Sequence, residues 1–128
     1  MAFYLKYTYE RLEYSVKRGE SMESYENVTI VKKVNSYFDG KVTSRTLKFG
    51  DGSIKTLGVM LPGEYEFGTG DPELMEIYSG DLEVKLPGSE EWQRIQGGEE
   101  FRVEGDAKFQ LRVVSLTDYC CSFLKEKN

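Results

Sequence analysis

The sequence predicts an all-β sandwich or barrel, and three observations point there. From Asn35 onward, short extended runs are separated by turn chemistry at intervals of about 8 to 12 residues, the spacing of such folds. Within the runs, apolar and polar residues alternate, as in Phe101 and Val103, in Phe109, Leu111 and Val113, and in Tyr119, Cys121 and Phe123. Period two puts each of these sets on one face of a strand. Between the runs stand Gly50-Asp51-Gly52, Pro62-Gly63, Asp71-Pro72, Gly80-Asp81, Pro87-Gly88, Gly97-Gly98 and Gly105-Asp106. Each supplies a positive or fixed φ where the chain must reverse.

The elements follow in order. Residues 1–34 form an N-terminal extension, and residues 35–128 form the domain. In the extension, Tyr4, Leu5, Tyr7, Leu12 and Tyr14 suit one face of a helix, yet Phe3, Leu5, Tyr7 and Tyr9 alternate like a strand, so periodicity leaves both open. The polar stretch 19–27 reads as a linker into a strand at about Val28 to Lys33. This extension suits a cap on the sheet, a subunit buttress or a partner-binding appendage. Gly50-Asp51-Gly52, between TLKF and SIKTLGVM, predicts a hairpin. Tyr65, Phe67 and Thr69 share one face of the next strand, and Glu73, Met75 and Ile77 share one face of the strand after it.

Composition narrows the classes. A chain of 128 residues has the size of one domain, able to bury roughly two thirds of its unfolded surface. No apolar run approaches the roughly 18 residues that span a bilayer, and the start lacks the pattern of a secretion signal. A soluble, cytoplasmic protein that inserts in no membrane is expected. Seventeen basic and 22 acidic residues give a net charge of −5, with no basic block of the kind that neutralises a phosphate backbone. Nucleic acid polymers are therefore not expected as partners, whereas a small phosphorylated ligand needs only one or two cations. Cys120 and Cys121 are adjacent, and neighbours on a strand point to opposite faces, so both are expected as reduced thiols.

The stretch LPGEYEFGTGDPELMEIYSG, residues 61–80, resembles the first motif of the cupin superfamily, double-stranded β-helix barrels of jelly-roll type. That motif places two histidines ahead of a glutamate and a glycine seven residues after it; Glu73 and Gly80 match the last pair. The histidine slots then fall on Phe67 and Thr69. GGEEFRVEGDAKFQL resembles the second motif, with its histidine slot on Phe109. The chain contains no histidine, and phenylalanine offers no lone pair to a metal. No metal is expected; aromatic walls would instead make a dry slot for a flat ring.

The run from Asn35 to Leu124 resembles a narrower group, the pyrimidine/purine nucleoside phosphorylase family of single-domain cupins. The likeness rests on Tyr37-Phe38-Asp39-Gly40-Lys41-Val42, on residues 57–67, on Thr69 through Met75 with Gly80, and on Leu86-Pro87, Trp92, Gly98, Phe101, Val103, Phe109, Tyr119, Cys121 and Phe123. It implies phosphorolysis, in which inorganic phosphate as co-substrate displaces the base of a purine or pyrimidine nucleoside to give ribose 1-phosphate, without a cofactor. Residues 1–34 have no counterpart in it. A homodimer is expected, since small cupins often bury a sheet edge against a partner. The rival reading is a non-catalytic cupin that binds a nucleoside or sugar as sensor or scaffold.

Residue by residue, Glu73 is the candidate for stabilising positive charge at the anomeric carbon, as carboxylates do in glycosyl transfer; its structural alternative is an ion pair at the rim. Thr69 is the candidate donor to phosphate or sugar. Tyr65, Phe67, Met75, Phe109 and Tyr119 are expected to line the substrate pocket, although Tyr65, Phe67 and Tyr119 suit plain core equally well and Met75 suits barrel filling. Lys41 is the candidate cation for phosphate. Arg102 and Arg112 alternate with apolar residues and should point outward. Cys121 reads as a small core residue, and Trp92 as packing between sheets.

Overall fold

The structure, a computed structural model, describes residues 23–125. Among them are nine strands and no helix: β1 (Thr29–Ile30), β2 (Asn35–Tyr37), β3 (Val42–Lys48), β4 (Ile54–Met60), β5 (Gly63–Gly68), β6 (Glu73–Lys85), β7 (Gln93–Gln96), β8 (Glu100–Val103) and β9 (Lys108–Phe123). All pairings are antiparallel. The helix-or-strand question posed by residues 3–14 lies outside the described residues.

Two long strands, β6 and β9, organise the barrel because each belongs to both layers. In β9, residues 108–113 pair with β5 and residues 117–122 pair with β4. In β6, residues 73–76 pair with β8 and residues 81–84 with β7. One layer therefore reads β8, β6, β9, β4, β3 and the short β1 and β2, and the other reads β7, β6, β9, β5. Changing layers requires a bend in mid-strand, and the β6–β9 register shifts between Ile77 and Leu82 mark it. Bulges of this kind bend a strand and raise its twist. Gly80 sits in the bend at φ 121°, where a Cβ would stand 2.4 Å from Thr117 Oγ1 and 2.7 Å from Thr117 Cα. The glycine of the motif is thus required both by backbone conformation and by close strand contact.

The expected hairpin forms between β3 and β4. Asp51 Oδ1 accepts from Ser53 N at 2.8 Å and from Ser53 Oγ at 2.6 Å, and Gly52 takes φ 89°. From the extension, β1 pairs with Lys48 and Leu47 on the edge of β3, next to β2 on the same edge.

Alternation sends Val42, Met60, Tyr65, Met75, Ile77, Leu82, Val84, Ile95, Phe101, Val103, Phe109, Leu111 and Val113 inward, and all are buried. Each fully buried aliphatic side chain contributes about 1.5 to 3 kcal/mol. Cys120 and Cys121 are both buried and unbridged, on opposite faces of β9.

Candidate active site at the barrel mouth

One half of the lumen is hydrocarbon: Leu82, Val84, Ile95, Leu111, Val113 and Ile77 fill it. In the other half, strands that began apolar turn polar at positions facing inward. After Val42, β3 presents Ser44 and Thr46, and β4 presents Thr56 opposite Thr46. Asn35 on β2 joins them, its Nδ2 donating to Ser44 Oγ at 3.2 Å and to Thr46 Oγ1 at 3.0 Å. Hydroxyls at core-facing strand positions forfeit packing, and burial is costly unless they are hydrogen-bonded. Here they form a connected polar wall.

Beside that wall, in the same layer, stand Tyr119 and Cys121 of β9, with Cys121 paired to Thr56, and then Glu73 of β6. Cys121 Sγ donates to Glu73 Oε1 at 3.4 Å, and the Thr56 hydroxyl lies within hydrogen-bond reach of the thiol. Burial moves the Glu73 carboxyl above its ordinary range, with the Cys121 hydrogen bond pulling slightly the other way. Among the described residues no lysine or arginine contributes to the shift. Burial likewise raises the Cys121 thiol, and the neighbouring Glu73 charge adds to the rise. A thiolate there is strongly disfavoured, so Cys121 is a donor rather than a nucleophile. Tyr119, buried at 6% exposure, is pushed up to about 12 by burial, while its hydrogen bond with Ser44 works against the rise.

Aromatic rings close this half. Phe67 stacks on Phe109 at 5.9 Å between centroids and 28° between planes, and Phe109 meets Phe101 edge-on at 6.3 Å. Tyr65 lies against Phe67, with its hydroxyl donating to Leu61 O at 2.6 Å. Tyr37 and Phe38, from the β2–β3 turn, meet Phe67 nearly at right angles, at 6.1 and 5.4 Å.

The structure therefore brings Glu73, Tyr119, Phe67, Phe109, Tyr65 and Met75 to one lumen, with unequal access. Phe109, Met75 and Tyr65 are core, whereas Phe67 and Glu73 keep partial exposure. Lys41 is exposed in the turn leading into β3, next to inward-facing Val42. Arg102 and Arg112 are exposed on outer faces as expected. Arg112 lies 3.8 Å over the Trp92 ring, so Trp92 packs on the outside of the sheet.

Thr69 has a different employment from the one its position in the motif suggests. Its hydroxyl donates to Glu104 O at 2.7 Å and accepts from Ala107 N at 3.1 Å, tying the end of β5 to the β8–β9 turn. Its proton is thereby committed to a backbone carbonyl. Thr69→Val removes both bonds, a loss of about 0.5 to 1.5 kcal/mol for each, and Thr69→Ser should keep the clamp. Urea unfolding of the two variants checks this expectation, which fails if Val is as stable as wild type.

Asn35, Ser44, Thr46, Thr56, Tyr37 and Phe38 escaped the sequence-based list of site residues. A signal for the first four existed: in VTSRTLK and IKTLGVM, hydroxyls take alternate positions where a core-facing strand would carry valine or isoleucine.

The fold class raises the question of a metal. At the three positions where cupins carry histidine stand Phe67, Thr69 and Phe109; two have no donor atom and the hydroxyl of the third is engaged. Only Glu73 retains a strong donor, and among the described residues no cluster of three or more Cys, Asp or Glu could hold an ion. One carboxylate does not make up the three or four donors a divalent metal takes. The residues present do not fit a metal.

Two layers joined by shared long strands around a half-polar lumen define a small cupin-type barrel, and solved structures agree. A cupin from Shewanella frigidimarina described as RmlC-like superposes with a TM-score of 0.60 at 13% identity, covering 80% of this chain and 93% of that one. A protein of unknown function from Acinetobacter sp. ADP1 superposes with a TM-score of 0.77 at 40% identity, covering 79% and 98%. The sequence profile of the pyrimidine/purine nucleoside phosphorylase family matches residues 32–123. Proteins carrying that name from Sulfurovum sp. (strain NBC37-1) and Geotalea uraniireducens (strain Rf4) are 65% and 62% identical over 103 residues, which is 80% of this chain and 100% and 99% of theirs. The chain belongs to the pyrimidine/purine nucleoside phosphorylase family.

Proposed function

We propose that the protein catalyses phosphorolysis of both purine and pyrimidine nucleosides. A phosphate oxygen attacks C1′ of the ribose as the C1′–N bond breaks; the bonding pair leaves with the base nitrogen, which takes up a proton. The products are ribose 1-phosphate and free base. The observation that carries the proposal is the lone, partly desolvated carboxylate of Glu73, bonded to Cys121 beside a wall of hydroxyls, in a lumen that also holds stacked aromatic rings.

Positive charge grows at C1′ in such a transition state, and a fixed carboxylate in a low-dielectric lumen stabilises it more than water does. The Ser44, Thr46 and Asn35 side chains suit ribose hydroxyls, as each can donate and accept. Tyr119, neutral at any physiological pH, offers its phenol as a further donor. Lys41, in the same turn as Phe38, is the cation assigned to phosphate. Thr69 holds the β5 end in place, and the reaction runs without a metal. All these groups come from one chain.

Incubation of the purified protein with uridine, adenosine or inosine should release base only when phosphate is present. Absence of phosphate-dependent release across the panel overturns the proposal. One observation favours a second reading, a cupin that binds a nucleoside or sugar without cleaving it: among the described residues no lysine or arginine is buried in the lumen. Binding of nucleoside without turnover in the same panel would establish that reading instead.

A further inference from the structure

The tip of the β2–β3 hairpin is built at odds with its own sequence. Phe38 and Asp39 take φ 53° and 54°, followed by Gly40 at 83°. Three successive residues are thus left-handed, and the first carries a bulky side chain for which this region is a genuine outlier. The turn puts large rings into water: Tyr37 is 48% and Phe38 43% exposed. Neither ring drifts free. Phe38 lies 4.9 Å from Tyr65 and 5.4 Å from Phe67, and Tyr37 lies 6.1 Å from Phe67.

We propose that Tyr37 and Phe38, held over Phe67 by this strained turn, form the slot that takes the nucleobase, with base recognition by stacking rather than by hydrogen bonding. The inference rests on the nucleoside reading of the site. Strained backbone collects where the surrounding structure holds it for a function, and a ring needed only to seal the barrel would be buried. Here two neighbouring rings keep nearly half their surface exposed while packed on Phe67 and Tyr65, which line the lumen that holds Glu73, Tyr119 and the hydroxyl wall. A ribose among those polar groups leaves its base at the level of the rings. Every purine and pyrimidine has a flat π-face, so stacking admits both classes. Of the two phenols among these rings, Tyr65 is committed to Leu61 O, which leaves the Tyr37 phenol to meet the base edge. The slot thereby accounts for the substrate breadth that the proposed function assigns.

The test separates the π-face from simple apolar cover. Phe38→Leu keeps the hydrophobic volume and loses the stacking face, whereas Phe38→Tyr keeps both. Loss of one aromatic stack should raise KM for adenosine and uridine about tenfold in Phe38→Leu, with KM for phosphate and the melting temperature unmoved, and Phe38→Tyr should restore wild-type behaviour. Calorimetric titration of adenine into the protein without phosphate reads the slot independently of turnover, and Phe38→Leu should bind about tenfold more weakly. If wild type turns over and Phe38→Leu matches it in both assays, the slot is wrong and the phosphorolysis reading survives. If wild type shows no turnover yet loses adenine binding in Phe38→Leu, the slot stands and phosphorolysis falls. Equal loss of nucleoside and phosphate affinity, or no adenine binding by wild type, overturns the slot.

Discussion

Glu73→Gln should lower kcat for phosphate-dependent base release by about 10² to 10³, the usual loss when one preorganised electrostatic group is removed from a transition state. The same change should stabilise the fold at neutral pH. The carboxyl's ordinary value is 4.5, and burial raises it in the folded protein. Below that ordinary value the group is protonated in folded and unfolded chains alike, and stability is whole. As pH rises through the folded value, the lumen must carry an incompletely solvated charge, and the stability contributed by the raised value is lost. Glutamine never ionises. Its melting temperature should therefore exceed wild type at pH 7 to 8, with the gap closing at about pH 4. Activity of wild type should rise with pH over the window in which stability falls, and the pH profile of Glu73→Gln should lack that rise. An unchanged kcat in the variant removes Glu73 from the mechanism, and a lower melting temperature at neutral pH contradicts the desolvation argument. Opposite signs for stability and activity at one residue mark a site that serves function at the expense of the fold.

Gly58→Ala should be the most damaging single change in the barrel wall. A Cβ at residue 58 would stand 1.9 Å from the Thr43 carbonyl oxygen and 2.8 Å from Ser44 Cα. Both atoms are backbone of the adjacent strand, so no rotamer change relieves the clash. Strand β3 must move off β4, and with it Ser44 leaves its bonds to Asn35 and Tyr119. Overpacking costs about 1 to 3 kcal/mol when side chains alone must shift; a clash with fixed backbone should exceed that range, against a total stability of about 5 to 15 kcal/mol. Gly50 is the matched control, since nothing lies within 4 Å of its added Cβ and its φ is not positive. Gly50→Ala should stay within about 0.5 kcal/mol of wild type. Chemical denaturation of the two variants decides the matter, and equal midpoints would remove the close-approach argument.

What could be read from the chain and what could not differ by the range of the interaction. The β5 and β9 faces were legible because period two is local: Tyr65 and Phe67, then Phe109, Leu111 and Val113, declare their common side within a few residues. The hairpin at Gly50-Asp51-Gly52 was legible for the same reason. Thr69 was misleading because its partners, Glu104 and Ala107, are 35 and 38 residues away. A hydroxyl in a motif slot looks free until the turn that captures it is known. Lys41 was legible from its motif, but its exposed place in the turn before β3, beside Phe38, came only from the fold. Asn35, Ser44, Thr46 and Thr56 come from three strands, and their convergence on Cys121 and Glu73 depends on antiparallel registers that no single strand encodes.

By itself, then, the sequence determined the class and the kinship: alternation and turn chemistry specify an all-β domain, and the ordered motifs from Tyr37 to Phe123 place it in its family. It also determined that the positions where cupins carry metal ligands hold aromatic side chains, since the absence of histidine is a fact of composition. Only the tertiary structure decided which polar groups share the lumen with Glu73, that Thr69 is bound into a clamp, and that Phe38 is held open over Phe67 by a left-handed turn. The reason is physical. Period and propensity act between neighbours along one strand, whereas a site in a barrel is made where strands distant in sequence are brought into register around a common interior.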